Sequence, residues 1–391
     1  MKVSILNAGQ ENDYLYGLVS GLSQFPSLDI EVVDSDNSVN LFNEFPRVSF
    51  FNLRGDNRSR QLLPVKIWRI SRYYVRLLWY TARTQSQIFH IEWENSIALF
   101  DRTILILYYR LFGKKLVHTA HNVYKDARDG RATFLRRISL KAMYHLVDSI
   151  IVHTQKMKEE LCALFQVPTE KVAVIPHGIN IRIRPHGWSQ EEAREKLRIA
   201  PTARVLLFFG EIDEYKGIET LIDAAASLVK QDPSVVLLVA GRPKRQSEYI
   251  MKIKMKAVLD LPEVNIMLRF EYIPIDEVEA YFTAADCLVL PYKRIYQSGV
   301  MFLAYRFGLP IIATDVGSFR QDVVDGVTGL ICKPDDVEDM TEKIRMFFDS
   351  PLCRRRAHTR AQIIALAEQK YSWLNIGRQT YEVYTKVMHR E

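Results

Sequence analysis

A chain of 391 residues is longer than one hydrophobic core usually serves, so two domains are expected. A hydrophobic content of 48% with 25% charged residues excludes a disordered chain, and no uncharged apolar run reaches the roughly 18 residues of a membrane-spanning helix. The net charge of +7 is unevenly spread: Arg58 to Lys141 carries 17 basic against 5 acidic residues, a local +12 that leaves −5 elsewhere and points to an anionic surface as partner.

The chain opens on MKVSILNAGQEND, a strand running into a polar loop without the apolar core of a signal peptide. Residues 2–7 and 29–34 read as strands around a helix near Tyr14 to Gln24. Further strands are predicted at 87–93, 115–119, 149–153 and 171–175. Apolar runs this short, separated by helix-length segments, predict parallel βα units with both sheet faces covered. The pattern pauses at Pro176-His177-Gly178 and an irregular stretch, then restarts with a helix at 190–197. A second series of strands covers 204–209, 235–240, 264–270, 287–290, 311–314 and 328–332, with helices at 217–230, 248–259 and 275–284. The expected architecture is therefore α/β, two doubly wound Rossmann-like domains facing a cleft. The first spans 1–182 and the second 190–370, with an amphipathic helix at 373–391 returning to the first. Cys162, Cys287, Cys332 and Cys353 show no CxxC spacing, so reduced thiols in a cytoplasmic protein are expected rather than a metal or disulfide set.

In open parallel sheets ligands bind beyond the carboxyl ends of the strands, so the residues there are the candidates. Strand 287–290 ends at Pro291, and Ser298-Gly299 then opens a helix-like run. Its free amides and positive dipole end suit a phosphate or diphosphate; a packing glycine in an ordinary turn explains the pattern equally well. Lys216 precedes a helix after strand 204–209, where an ammonium can meet a phosphate or simply be solvated. Arg242 lies in the tight turn after 235–240. Tyr272 and Ile273 follow 264–270, where a ring and exposed backbone can hold a flat base, although Tyr272 fits core packing as well. His121 follows 115–119, where an imidazole can orient a sugar hydroxyl or stabilise positive charge, a structural histidine being the other reading.

The segments FFGEIDEYKGIETLIDA, VAGRP, YIPIDEVEAYFTAADCLVLPY, QSGVMFLAYRFGLPIIATDVGS and DGVTGLI, with VAVIPHGI before them, resemble the nucleotide-sugar domain of family-4 retaining glycosyltransferases of GT-B architecture. KLVHTAHN and IIVHT extend the resemblance more loosely into the first half. The resemblance implies that Lys216 neutralises the donor diphosphate and that Gln297, Ser298, Gly299 and Val300 form the loop and helix start holding the distal phosphate. It further implies that Tyr272 and Ile273 cradle the base, that His121 lies near the transferred sugar, and that Gly9 approaches donor and acceptor. The co-substrate implied is a UDP- or GDP-linked sugar, with no metal or other cofactor, since helix amides and lysine carry the leaving-group charge.

Three departures stand out. Glu211 occupies a position where the family commonly has arginine, which leaves Arg242, Lys293 or Arg294 as the second cation. Both glutamates flanking the family's glycine-opened helix are missing: Leu303 takes the place of the second, and Ile295 to Gln297 contain no acid for the first. The Gln-Ser-Gly form resembles a variant of the family, and a non-catalytic binding or partner subunit is the rival reading. Residues 66–83 and 131–141 mix cations with aromatic and aliphatic residues, as an interfacial anchor for an anionic membrane surface does, or as a packed helix with a basic rim does. The implied acceptor is a glycan or a lipid-linked sugar at the inner face of the membrane; no nucleic-acid motif interleaves with the cations.

Overall fold

The computed structural model describes residues 1–8, 12–55, 63–95, 97–124, 133–183, 185–244 and 248–389. The chain divides into two compact units, one made of Met1–Gly178 with Tyr371–Glu391, the other of Ile179–Lys370. Each is a parallel sheet with Rossmann-like strand order.

In the first unit the strands are β1 (Lys2–Leu6), β2 (Asp29–Asp34), β3 (Val48–Asn52), β4 (Ile88–Ile91), β5 (Lys115–Thr119), β6 (Ser149–Val152) and β7 (Val172–Val174). They lie in the order β3-β2-β1-β4-β5-β6-β7, all neighbours parallel. The order reverses direction between β1 and β4, which opens a crevice at their carboxyl ends. Strand β3 has no counterpart in the sequence reading. It is a half-buried edge strand whose VSFFN lacks a continuous apolar run, so its signal is weak.

Helix Trp373–Met388 belongs to this unit and crosses helix Asn12–Leu22 at glycines. A Cβ on Gly377 would stand 2.5 Å from the Gly21 carbonyl carbon, and one on Gly17 would fall inside the Trp373 indole. Only hydrogen side chains permit this approach. The C-terminal helix starts at Ser372, whose hydroxyl accepts from the Asn375 amide.

The second unit holds β8 (Arg204–Phe209), β9 (Val235–Ala240), β10 (Ile266–Arg269), β11 (Cys287–Leu290), β12 (Ile311–Thr314) and β13 (Gly329–Cys332) in the order β10-β9-β8-β11-β12-β13. All six residues of β9, VVLLVA, are buried, as a strand covered by helices on both faces requires. Helix Gln190–Leu197 opens with a full capping box between Ser189 and Glu192. The switch point here lies between β8 and β11, so the loops after these two strands emerge side by side.

Candidate functional site

In the second unit those two loops carry Lys216 and the Ser298-Gly299 helix start. The loop after β8 is pulled against the loop after β11: Lys293 N–H donates to the Tyr215 carbonyl (2.8 Å). Gly217 has φ +63°, and a Cβ on it would stand 2.2 Å from the Pro291 carbonyl oxygen. That glycine, more than helix initiation, is what lets Lys216 turn inward; the helix itself starts one residue later, at Ile218. The Lys216 side chain is 6% exposed, with Nζ 5.2 Å from the centre of the Tyr292 ring. No carboxylate among the described residues pairs with it. Burial pushes its pKa down, against the upward pull of Tyr215, Glu211 and Asp213.

A Cβ on Gly210 would lie 3.0 Å from Val300 Cγ2 and 3.4 Å from Lys216 Nζ, so the ammonium and the start of helix Gly299–Arg306 border the same point. Gly299 is exposed, and a Cβ there would meet nothing within 4 Å. Ser298 is buried, and its hydroxyl makes no cap bond to the helix; among the described residues it meets the Tyr292 hydroxyl at 3.4 Å. The helix thus starts on an exposed glycine beside a buried cation.

The remaining second-unit candidates divide. Tyr272 is 68% exposed, which removes core packing as its role and leaves the ring free to stack. The Ile273 side chain is buried, so only its main chain is available. Gln297 turns its amide nitrogen toward Asp322 (3.5 Å), and its Oε1 is buried without a partner among the described residues. Arg242 and Glu211 face each other at 3.9 Å on the surface, so the arginine screens the misplaced carboxylate. Lys293 is held by Glu219 (2.5 Å) and is not a free second cation.

In the first unit Gly9 lies outside the described residues. His121 is described, and both of its ring nitrogens are engaged by protein. Nε2 lies 2.9 Å from Glu92 Oε2, and Nδ1 lies 2.9 Å from His153 Nε2. Trp93 stacks over the ring at 4.6 Å and Tyr14 meets its edge at 4.7 Å. Of the two roles expected of it, orienting a sugar hydroxyl or stabilising positive charge, the first would need a ring nitrogen that here already faces Glu92 or His153. The Glu92 carboxylate also accepts from Thr119 Oγ1 (3.0 Å) and stands 3.0 Å from His90 Nε2. Burial alone would raise the pKa of Glu92; the charges and hydrogen bonds of His90 and His121 outweigh it and hold the carboxyl well below its usual range. Burial, reinforced by the neighbouring His121 and His177, keeps the His153 pKa well below an ordinary imidazole's, and burial lowers that of His177 to about 4.

Sequence reasoning missed Glu92, His153 and Tyr14. The available signal was positional: β4, β5 and β6 are adjacent and parallel, so Glu92, His121 and His153, each just past a strand end, meet in one row.

Residues 189–365 match the family Glycosyl transferases group 1, and residues 29–182 match Glycosyltransferase Family 4. The D-inositol 3-phosphate glycosyltransferase of Corynebacterium efficiens is 26% identical over 289 residues, 71% of this chain but only 66% of that protein's length. Among solved structures, the sucrose-phosphate synthase of Thermosynechococcus elongatus superimposes with a TM-score of 0.76 at 19% identity, covering 99% of both chains. Anabaena HepE in complex with UDP-glucose gives a TM-score of 0.74 at 15% identity, covering 99% of this chain and 100% of that one.

Proposed function

We infer that this chain, built from a family 4 and a group 1 glycosyltransferase domain, moves a sugar from a nucleotide-diphosphate donor to a glycan or lipid-linked acceptor with retention of configuration. The observation that carries this reading is the buried Lys216 ammonium, without a carboxylate partner among the described residues, bordering the open start of helix Gly299–Arg306. Breaking the bond between the anomeric carbon and the diphosphate puts negative charge on phosphate. A pre-oriented ammonium and helix amides stabilise that charge more in the transition state than in the bound donor, without reorganising. The reading requires no metal for this step. Exposed Tyr272 is assigned to the base, uridine or guanosine; HepE was crystallised with UDP-glucose, which supports the former.

The acceptor is assigned to a membrane surface. Helix Leu63–Arg83 exposes Trp68 and Trp79, each 59% exposed, with Arg72 and Arg83 over their rings. Leu111 and Phe134, on neighbouring helical segments of the same unit, are 82% and 78% exposed. Aromatic anchors rimmed by cations suit an anionic bilayer interface. No described helix is long and apolar enough to cross a membrane.

A binding-only protein is the second reading, favoured by Leu303, buried and apolar where a family glutamate would stand. The test is a panel of UDP- and GDP-sugars, followed by thermal shift and by release of nucleoside diphosphate with a lipid-extract acceptor. Stabilisation with acceptor-dependent release supports transfer; stabilisation without release supports the binding-only protein; no response to any nucleotide refutes both.

A further inference from the structure

The hydrogen bonds around His121 fix its protons. A carbonyl oxygen only accepts, so the His153 Nδ1 that lies 3.0 Å from the Ile175 carbonyl carries hydrogen. A neutral His153 then has a bare Nε2, which requires hydrogen on His121 Nδ1 across their 2.9 Å contact. A carboxylate also only accepts. Glu92 takes Thr119 at Oε1 and His121 at Oε2, so His121 Nε2 must carry hydrogen as well. His90 does not compete for this role: with the Tyr384 hydroxyl 2.6 Å from Nδ1, and Thr119 Oγ1 2.7 Å and Glu92 Oε1 3.0 Å from Nε2, a neutral ring accepting at Nδ1 and donating from Nε2 meets all three.

We propose that Glu92 and His153 hold His121 as an imidazolium with both N–H groups committed, so that His121 is a fixed cation and takes no proton during the reaction, with Glu92 as its positioning residue. The two other protonation patterns each conflict with the surroundings. Moving a proton to Glu92 neutralises a carboxylate that accepts from Thr119 and faces two histidines. Moving it to His153 places a charge on a ring that is 4% exposed, with His121 and His177 beside it. The low pKa of His153 agrees with this assignment. Among the described residues, the groups facing His121 are Tyr14 from helix Asn12–Leu22, Glu92 and Trp93 after β4, His153 after β6 and, through Tyr14 and His153, His177. Among these, Glu92 is the one anion.

The consequence for catalysis rests on the transferase reading, but the protonation state does not. The first measurement is therefore the ring-nitrogen NMR of protein labelled with ¹⁵N-histidine, with His121 assigned by its loss in His121→Gln. Between pH 6 and 8 both His121 nitrogens should give protonated-type shifts; a pyridine-type nitrogen on His121 in that range overturns the proposal, whether or not any sugar is transferred. The second is Glu92→Gln, whose amide oxygen still accepts from Nε2–H while the charge is gone. On the transferase reading, with the charged form of His121 as the working one, kcat of Glu92→Gln should fall as pH rises, a limb absent from the parent. A flat profile in a folded Glu92→Gln, or a limb rising with pH, overturns the assigned role. Should Glu92→Gln fail to fold, the spectrum of the unaltered protein decides alone.

Discussion

Lys216 is a buried ammonium that nothing anionic among the described residues neutralises, and that arrangement costs folding free energy unless an anion arrives. Lys216→Ala should leave the fold intact and reduce turnover by roughly 100-fold, as removal of one strong electrostatic contact does. Unchanged turnover would take Lys216 out of the reaction. The position of this lysine after a strand was legible in the sequence because strand β8 and the following helix are clear in the pattern of apolar residues. The state of His121 was not. Its partners stand 29 and 32 residues away along the chain, and no local spacing reports which of its nitrogens face carboxylate or imidazole.

Among the elements of the second unit, the stretch just before helix Gln190–Leu197 is anchored by a carboxylate. Glu279, on helix Val278–Ala284 of the second unit, accepts from the main-chain N–H of His186 (2.6 Å), Gly187 (2.9 Å) and Trp188 (3.2 Å), and from His186 Nδ1 (2.9 Å). Burial alone would raise its pKa, but the donors from His186, Gly187 and Trp188 prevail and lower it. A carboxyl with a lowered pKa in the folded state stabilises above its unfolded value, about 4.3, and loses that contribution as pH falls through the folded value. Glu279→Gln should therefore lose stability at neutral pH, on the order of 1–3 kcal/mol by chemical denaturation. Its deficit against the parent should shrink below pH 4; a constant deficit would show that charge is not the cause. In sequence Glu279 reads as one more acid on an amphipathic helix. Only the fold brings residues 186–188 over it.

For the molecule as a whole, the charge asymmetry of the sequence becomes a surface in the first unit. Lys66 and Arg72 are exposed on the same helix as Trp68 and Trp79. If this helix meets an anionic bilayer, each cation near the surface contributes about 1 kcal/mol. Lys66→Ala with Arg72→Ala should then weaken binding to phosphatidylglycerol vesicles by about 30-fold. Soluble-acceptor turnover should be unaffected. Equal sedimentation of parent and double variant with those vesicles would reject the membrane assignment. Residues 131 and 132 of the second basic stretch lie outside the described residues; helix Phe134–Leu146 carries its remainder.

The sequence by itself determined the two parallel sheets, because strands buried on both faces leave continuous apolar runs that no other context produces as often. It also determined the Lys216 and Ser298-Gly299 positions, since both sit at strand ends that the same runs delimit. Tertiary structure alone decided which polar groups meet: Lys293 with Glu219, Arg242 with Glu211, His121 with Glu92 and His153. Such pairs join residues from separate βα units, and hydrogen bonding is set by distance and direction in space, which a linear pattern of apolar residues does not encode.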